Sequence, residues 1–185
     1  MPSTVHLLQH DSLFLLQEKK RDDDAKFKAL KDAAYFGEID KIPRLIRNGA
    51  NMYRIDEALT GKTLIHLAAG QNQEAVIRTL YAKRSGKVYD PISDPRSFDV
   101  DHKNALHDAA VKGHVGPLKA LVELKADLSN RDNIEGFTIV HRAAVNQKLE
   151  FLKTLKDLKA DMDAKCFDKE TSLHKASKLG LSEVT

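Results

Sequence analysis

Apolar and polar positions along the chain follow one pattern that occurs five times. Each copy opens with a short stretch in which leucine, isoleucine or valine precedes an Ala-Ala or Ala-Ser pair, with polar residues between them. The stretches are 28–34, 63–69, 104–110, 138–144 and 171–177. Their first residues lie 35, 41, 34 and 33 positions apart. Self-similarity at such a period predicts a protein built from stacked structural repeats.

Each copy predicts two short helices joined by a turn. The alanine pair lies in the first helix, as in Leu106 to Lys112, where small side chains let neighbouring helices approach closely. The second helix has apolar residues at i, i+3 and i+4, as in Leu118, Leu121 and Val122. The residues expected at the turn are Gly37, Asn72, Gly113, Gln147 and Gly180. A positive φ is favoured there, so slight strain is expected at the glutamine.

This pattern resembles the ankyrin-repeat family, whose motif is Thr-Pro-Leu-His-x-Ala-Ala-x-x-Gly-His followed by Leu-Leu-x-x-Gly-Ala-Asp. Residues 61–66, 107–114 and 136–141 match the first part of the motif well. The family proline is absent from every copy, and Lys31 replaces the histidine in the first. The resemblance covers about residues 25–185. It implies an all-α solenoid of four full repeats and one partial repeat that recognises proteins without chemistry of its own.

The resemblance also suggests how the chain is divided. Residues 1–24 should form a capping segment, with a helix through 13–16 that ends at 19–21 before a new helix opens at 22–24. A short partner-binding or membrane-surface helix is the alternative for this segment. The repeats are expected at 25–57, 58–98 with an insertion at 85–98, 99–132, 133–165 and a truncated 166–185. Leu173 and Leu179 need a second helix to cover them, so we expect the chain to continue beyond Thr185.

Composition adds limits on compartment and ligand. Thirty Lys and Arg against 27 Asp and Glu give a net charge of +3, too weak a bias to argue for nucleic acid or a membrane surface. The single cysteine, Cys166, suits a reducing compartment. No apolar run approaches the roughly 20 residues of a membrane span, and the N-terminus lacks signal-peptide features. We therefore expect a cytoplasmic monomer that binds neither nucleic acid nor membrane.

Residue types that often carry chemistry have structural explanations here. Four histidines lie three residues after a threonine or asparagine that can cap a helix, once per repeat, whereas a catalytic or metal site needs no such repetition. They are His66, His107, His141 and His174. His6 and His10 lack a third metal ligand, and Cys166 has no recognisable base partner. Lys153, Lys156 and Lys159 fit a solvated outer face better than a phosphate site. We expect no catalytic residue, metal or cofactor.

The resemblance places partner binding on a concave face made of loop tips and first helices. The expected contact residues are Phe27, Tyr35, Phe36, Leu59, Lys62, Tyr89, Phe98, Lys103, Val111, Lys112, Phe137, Val145 and Asn146. The wider face also includes Val100, Ile134 and Phe167. Exposed aromatic residues mark binding surfaces, although some of these could instead pack against neighbouring loops. Four lysines against the single acid Glu170 on this face suggest a partner with an acidic or mixed surface.

Three other functions are compatible with the same sequence. The chain could be the substrate-recognition part of a larger enzyme whose catalytic domain lies beyond residue 185. It could also be an effector of an intracellular bacterium, secreted into the host cytosol, because 21 Lys against 9 Arg and degenerate repeats suit an AT-rich microbial genome. A purely structural scaffold is the third.

The insertion in the second repeat generates a first prediction. Loop closure costs only about 0.6 kcal/mol per doubling of length, so shortening 87–96 to the family spacing should leave the helical circular dichroism signal intact. If Tyr89 and Phe98 contact a partner, binding should fall in the same variant. Loss of the helical signal would show that the insertion is part of the fold.

Overall fold

The computed structural model describes residues 4–55, 61–83 and 99–181, with side chains from Leu15 onward in these ranges. Nine helices and no strand lie within them, which confirms the predicted all-α architecture. The helices are α1 (Thr4–Phe36), α2 (Lys41–Arg47), α3 (Leu64–Gly70), α4 (Glu74–Ala82), α5 (Ala105–Lys112), α6 (Val115–Glu123), α7 (Ile139–Val145), α8 (Leu149–Asp157) and α9 (Ser172–Lys178). This set is compatible with four repeats and a partial fifth.

The helices form two layers. We call α1, α3, α5, α7 and α9 the inner layer, and α2, α4, α6 and α8 the outer layer. Successive inner helices pack against one another, and α6 packs between α4 and α8. Each outer helix also packs against the inner helix that precedes it in the chain. A single core therefore runs through the stack, because each repeat buries its apolar face against its neighbours.

Small and large side chains have separate roles in this core. Ala68, Ala109 and Ala143 of the inner layer are fully buried, so these helices can lie close together. The larger Leu121 and Phe151 come from the outer layer and are also fully buried. Burial of one such large side chain contributes about 1.5–3 kcal/mol. The prediction that the first helix of a repeat packs through small residues and the second through larger apolar residues is confirmed.

Helix α1 corrects one prediction. A break was expected at 22–24, but the helix continues through these residues from Thr4 to Phe36. Lys26 Nζ lies 2.5 Å from Asp22 Oδ2 one turn away, and Arg54 Nη1 lies 2.5 Å from Asp24 Oδ1. Asp22 and Asp24 thus form ion pairs with Lys26 of the same helix and with Arg54 of the loop after α2. No glycine or proline interrupts the helix there, so charge alone did not end it.

The turns between the two helices of each repeat have the predicted left-handed backbone. The residues and φ angles are Gly37 (76°), Asn72 (59°), Gly113 (81°), Gln147 (57°) and Gly180 (69°). Glycine adopts this conformation freely, whereas a side chain with a Cβ costs about 1–2 kcal/mol. The expected strain at Gln147 is therefore confirmed in its geometry.

The repeated histidine closes the start of an inner helix and reaches the next repeat. Thr63 Oγ1 lies 2.9 Å from His66 Nδ1, while His66 Nε2 lies 3.0 Å from the carbonyl oxygen of Lys103. A carbonyl can only accept, so Nε2 carries the proton and Nδ1 accepts from the threonine hydroxyl. One buried side chain thus caps its own helix and binds the following loop.

The arrangement recurs along the inner layer. Thr138 Oγ1 lies 2.9 Å from His141 Nδ1, and His141 Nε2 donates to the carbonyl of Glu170 at 3.2 Å. In the last described helix, Thr171 Oγ1 lies 2.7 Å from His174 Nδ1. The structural explanation of these histidines is confirmed.

His107 departs from the pattern because asparagine replaces threonine at the cap. Asn104 Oδ1 faces its Nδ1 at 2.9 Å, and the Phe137 carbonyl faces its Nε2 at 3.1 Å. Both partners are acceptors, whereas a neutral imidazole carries one N–H and can donate to only one of them. The cap of α5 is therefore less completely satisfied than those of α3 and α7.

These histidines predict that acid destabilises the fold. Burial lowers the pKa of His66 and His141 below the ordinary 6.5, so the unfolded chain binds more protons. The two rings therefore contribute their full stabilisation above pH 6.5. As the pH falls toward the folded-state pKa values, the free energy of unfolding decreases by on the order of 1 kcal/mol per pH unit for each ring. Urea unfolding from pH 7.5 to 5 measures this loss, in a range above the usual carboxyl pKa values.

The double variant His66→Gln/His141→Gln is the control and should show a flatter pH dependence. Where that variant does not fold, NMR titration of the two rings in the unmodified chain gives the pKa values directly. Stability that does not change from pH 7.5 to 5 would contradict the prediction.

Candidate binding surface

The loops that lead into the inner helices are held by buried aspartates. Asp99 Oδ1 accepts the backbone N–H groups of Asp101 and Lys103, each at 2.9 Å. Asp132 Oδ1 accepts those of Glu135 at 3.0 Å and Phe137 at 3.3 Å. Each carboxylate thus stabilises a tight hairpin turn by hydrogen bonds to the backbone of its own loop. The hairpin tips are thereby turned toward solvent.

Neighbouring hairpins are hydrogen-bonded to one another. The Asn133 N–H donates to the Asp101 carbonyl at 3.0 Å, and Asn133 Nδ2 donates to the Val100 carbonyl at 3.4 Å. One repeat later, the Phe167 N–H donates to the Glu135 carbonyl at 3.1 Å. The three tips therefore form a continuous and rigid edge of the stack.

Exposed apolar side chains follow this edge. Val100, Ile134 and Phe167 are 63%, 58% and 61% exposed, and each lies four residues before the N-cap of its inner helix. Ile55 joins them at the N-terminal end, because a Cβ on Gly61 would lie 2.9 Å from Val100 Cγ1 and 3.9 Å from Ile55 Cγ2. We call Ile55, Val100, Ile134 and Phe167 the hairpin ridge.

Phe167 shows how closely the ridge side chains lie on the loop backbone. A Cβ on Gly136 would approach the Phe167 ring to 2.5 Å, so the ring covers this glycine. Gly136 has φ 68°, a conformation that also favours glycine. One face of the ring is thus fixed against the preceding hairpin, while most of the ring remains in solvent.

The expected aromatic anchors at the end of α1 are exposed. The Tyr35 and Phe36 rings are 5.1 Å apart and nearly perpendicular, at 76°. Val111 and Val145 occupy the position equivalent to Tyr35, directly after the alanine pair, and are half-buried. These equivalent positions define a second apolar row on the inner layer, in which Gly70 of the second repeat contributes no side chain. Asn146 lies beside it and donates through Nδ2 to the Arg142 carbonyl at 2.8 Å.

Phe137 and Phe27 are not exposed, contrary to expectation. Phe137 is 4% exposed and stacks on His141, with ring centroids 5.1 Å apart at 21°. The Arg142 guanidinium lies 4.8 Å from its ring centre. Phe27 is 7% exposed beneath Arg54. Phe137 thus packs within its loop, and Phe27 of α1 packs against a residue of the loop after α2; such packing is the alternative that the sequence left open.

Most lysines of the expected surface are paired within the chain. Lys62 Nζ lies 2.5 Å from Asp108 Oδ1, and Lys103 Nζ lies 2.8 Å from Asp101 Oδ2. The sequence-based count of acids overlooked both aspartates. Lys112 is exposed, and among the described residues no ion pair is formed with it. The face is therefore closer to neutral than its lysines suggest.

A network of charges covers the buried Phe137 ring. Arg142 Nε donates to Asp132 Oδ2 at 3.0 Å, and Arg142 Nη2 lies 3.0 Å from Glu135 Oε2. Burial raises the pKa of Asp132, but hydrogen bonds from the Glu135 N–H and Arg142 outweigh it and lower the pKa overall. Lys175 lies 2.6 Å from Asp168 and 5.6 Å from the ring centre. Hydrogen bonds to Asp168 and Glu170 raise the pKa of Lys175.

Some expected site residues and other candidates need separate mention. Leu59, Tyr89 and Phe98 lie outside the described residues, as does the insertion at 85–98.

The described part of the chain contains no group of three or more His, Cys, Asp or Glu residues that could hold a metal ion. Cys166 is buried at the base of its hairpin. Among the described helices, none combines the length and apolar character needed to cross a membrane.

Sequence reasoning placed three members of the hairpin ridge on the wider face but did not single them out. The available signal was positional, because Leu59, Val100, Ile134 and Phe167 all lie four residues before a cap. Ile55 was missed, since its place beside Val100 depends on how two loops meet.

Comparison with known proteins supports the repeat assignment. A family model for ankyrin repeats, in three copies, matches residues 30–132. The comparison with curated proteins found no match to this chain.

The contrast between buried and exposed rings gives a paired prediction. Phe137→Ala should lower the free energy of unfolding by about 3 kcal/mol or more, because it empties a packed site. Phe167→Ala should cost about 1 kcal/mol or less, because most of that ring is already in solvent. Urea unfolding of both variants measures the difference. Equal losses would show that the two rings are equally important to the fold.

Proposed function

Because the chain belongs to the ankyrin-repeat family, we propose that it binds a partner protein along the hairpin ridge and the apolar row of the inner layer. Ankyrin repeats are protein–protein interaction modules. A single cysteine with no intrachain disulfide partner suits a reducing compartment, so we place this activity in the cytoplasm.

The hairpin ridge is the observation that carries the proposal. Val100, Ile134 and Phe167 repeat an apolar choice at one position where the side chain stays more than half exposed. Contiguous exposed apolar surface of this kind marks interaction sites. A ring such as Phe167 can bury a large area at little entropic cost, and a few such anchors carry most of the affinity of an interface.

Rigidity supports the same role. Asp99 and Asp132 hold the hairpins from within, and the bonds from Asn133 and Phe167 join one hairpin to the next. A surface that is already ordered loses little conformational freedom when a partner binds. The ridge therefore presents its apolar side chains without a folding step.

The ion pairs within the chain indicate whether apolar or charged contacts should dominate partner binding. Lys62 and Lys103 are matched by Asp108 and Asp101, and Lys178 is paired with Glu170. Lys112 remains the main basis for attraction to an acidic partner. We therefore propose that apolar contact provides most of the affinity, and that salt changes the association rate only modestly.

Random peptides displayed on phage, selected for binding to the chain, provide probes for this surface. The double variant Ile134→Ala/Phe167→Ala should weaken the selected peptides about tenfold or more, at about 2 kcal/mol for a hot-spot ring. Tyr35→Ala/Phe36→Ala tests the inner-layer row in the same way. The matched control is Arg47→Ala/Lys119→Ala, two exposed residues of the outer layer.

All variants should keep the melting temperature of the unmodified chain within a few degrees, since every changed side chain is exposed. Peptides that bind the ridge variant normally but fail on the outer-layer control would place the site on the opposite face. Such a result would refute the proposal.

A further inference from the structure

The apolar row of the inner layer is interrupted in the second repeat. Tyr35, Val111 and Val145 place a side chain directly after the alanine pair, whereas Gly70 leaves this position bare. Helix α3 packs between α1 and α5, so the gap lies between Tyr35 and Val111 along the row. We call this gap the Gly70 notch.

Neither the backbone conformation nor the packing of α3 requires this glycine. The other described glycines have a positive φ or, at Gly116, a Cβ that would lie 3.0 Å from Glu74 Oε2. Gly70 has no positive φ, and a Cβ on it would meet Asp108 Cβ at 3.7 Å, an ordinary contact distance. Glycine also weakens a helix relative to every residue type except proline. The bare position is therefore a candidate binding feature.

Asp108 lies beside the notch and has an unused acceptor. Its Oδ1 lies 2.5 Å from Lys62 Nζ. Its Oδ2 is buried and has no hydrogen-bond partner among the residues that the structure describes. A buried acceptor without a donor is unfavourable, so this oxygen is suited to a donor from another molecule.

Asp99 provides a second unused acceptor. It is 8% exposed, and its Oδ1 is taken by backbone N–H groups of its own hairpin. Its Oδ2 also lacks a hydrogen-bond partner within the described part of the chain. Burial lowers the pKa of His66 overall, while the charges of Asp108 and Asp99 both oppose that shift. The two carboxylates therefore lie near the same ring.

The next repeat shows which group such an acceptor binds. Asp132 corresponds to Asp99, because each donates its backbone N–H to the carbonyl of the residue before the cap. Arg142 corresponds to Asp108, because each lies four residues after its N-cap. Arg142 Nε donates to Asp132 Oδ2 at 3.0 Å. The third repeat thus keeps the carboxylate but has a second acid in place of the guanidinium.

A guanidinium group fits these acceptors better than an ammonium group or a metal ion. Its five N–H donors lie in one plane and can serve two carboxylates at once, and its flat faces stack on aromatic rings such as Tyr35. Lys62 already supplies an ammonium group to Asp108 and leaves Oδ2 without a donor. Within the described residues, no group of three or more His, Cys, Asp or Glu side chains is present to hold a metal ion.

We propose that the Gly70 notch binds an arginine side chain of the partner protein, with its guanidinium between Asp108 and Asp99. This rests on the proposed function, because the notch interrupts the apolar row that meets the partner there. The arginine stem fills the space that a side chain at residue 70 would occupy. Lys62 is 28% exposed on a flexible stem and turns toward solvent as the guanidinium approaches Asp108. Apolar contacts still provide most of the affinity, while the arginine selects the partner.

The phage-selected peptides test this contact. They should carry an arginine at a constant spacing from their apolar residues. Citrulline at that position keeps the shape of arginine without its charge and should weaken binding to the unmodified chain about tenfold. On Asp108→Asn the same change should cost less than twofold. Asp157→Asn alters an exposed aspartate of the outer layer and should keep the full tenfold effect.

Gly70→Val separates binding from stability. Valine occupies this position in the next two repeats and forms helix better than glycine, so the melting temperature should stay equal or rise. Affinity for the arginine peptide should nevertheless fall about tenfold, because the notch is filled. Gly70→Ala makes the same test with a smaller side chain where the valine variant does not fold. A steep loss of stability in both variants would show that the chain fills its own notch and would overturn the proposal.

Two further outcomes separate this site from the proposed function. Peptides that need Ile134 and Phe167 but bind equally well with citrulline would support the hairpin ridge and overturn the arginine site. If no peptide is selected, the proposed function fails, and ethylguanidinium tests the notch directly. It should shift the NMR amide signals of Gly70 and Asp108 more than ethylammonium does, and Asp108→Asn should remove the difference. Equal shifts with both ions would overturn the notch as a guanidinium site.

Discussion

The hydrogen bond from a capping histidine to the backbone of the next repeat is the contact on which the rest of the structure depends. His66 and His141 accept from a threonine at one ring nitrogen and donate to a carbonyl of the following repeat at the other. One side chain therefore couples the start of a helix to the position of its neighbour. Since a single repeat cannot bury its own apolar face, helix formation and stacking stabilise each other.

The same contact arranges the candidate binding surface. The Phe137 carbonyl faces His107, and its N–H donates to Asp132, so the backbone of this hairpin is held at both groups. Its ring then turns inward, while Ile134 remains outside. The side chains that stabilise the hairpin and those that we propose to meet a partner are consequently neighbours in sequence with opposite orientations.

Stacking also joins neighbouring outer helices through their side chains. The outer helix α6 packs between α4 and α8, and the ion pair of Arg78 with Glu123 joins it to α4. On α8, Lys153 pairs with Glu150 of its own helix at 3.9 Å.

The repeat fold follows from the sequence alone, because alanine pairs, caps and left-handed turns are local signals repeated at a constant spacing. The structural role of His66 and the strained turn at Gln147 follow from the same local signals. The unbroken course of α1 through three aspartates appears only in the folded chain, where Lys26 pairs with Asp22 and Arg54 pairs with Asp24 from 30 residues away. The opposite exposure of Phe137 and Phe167 depends on tertiary contacts, since both are phenylalanines: Phe137 stacks on His141 beneath Arg142, whereas Phe167 lies on Gly136 with most of its ring in solvent.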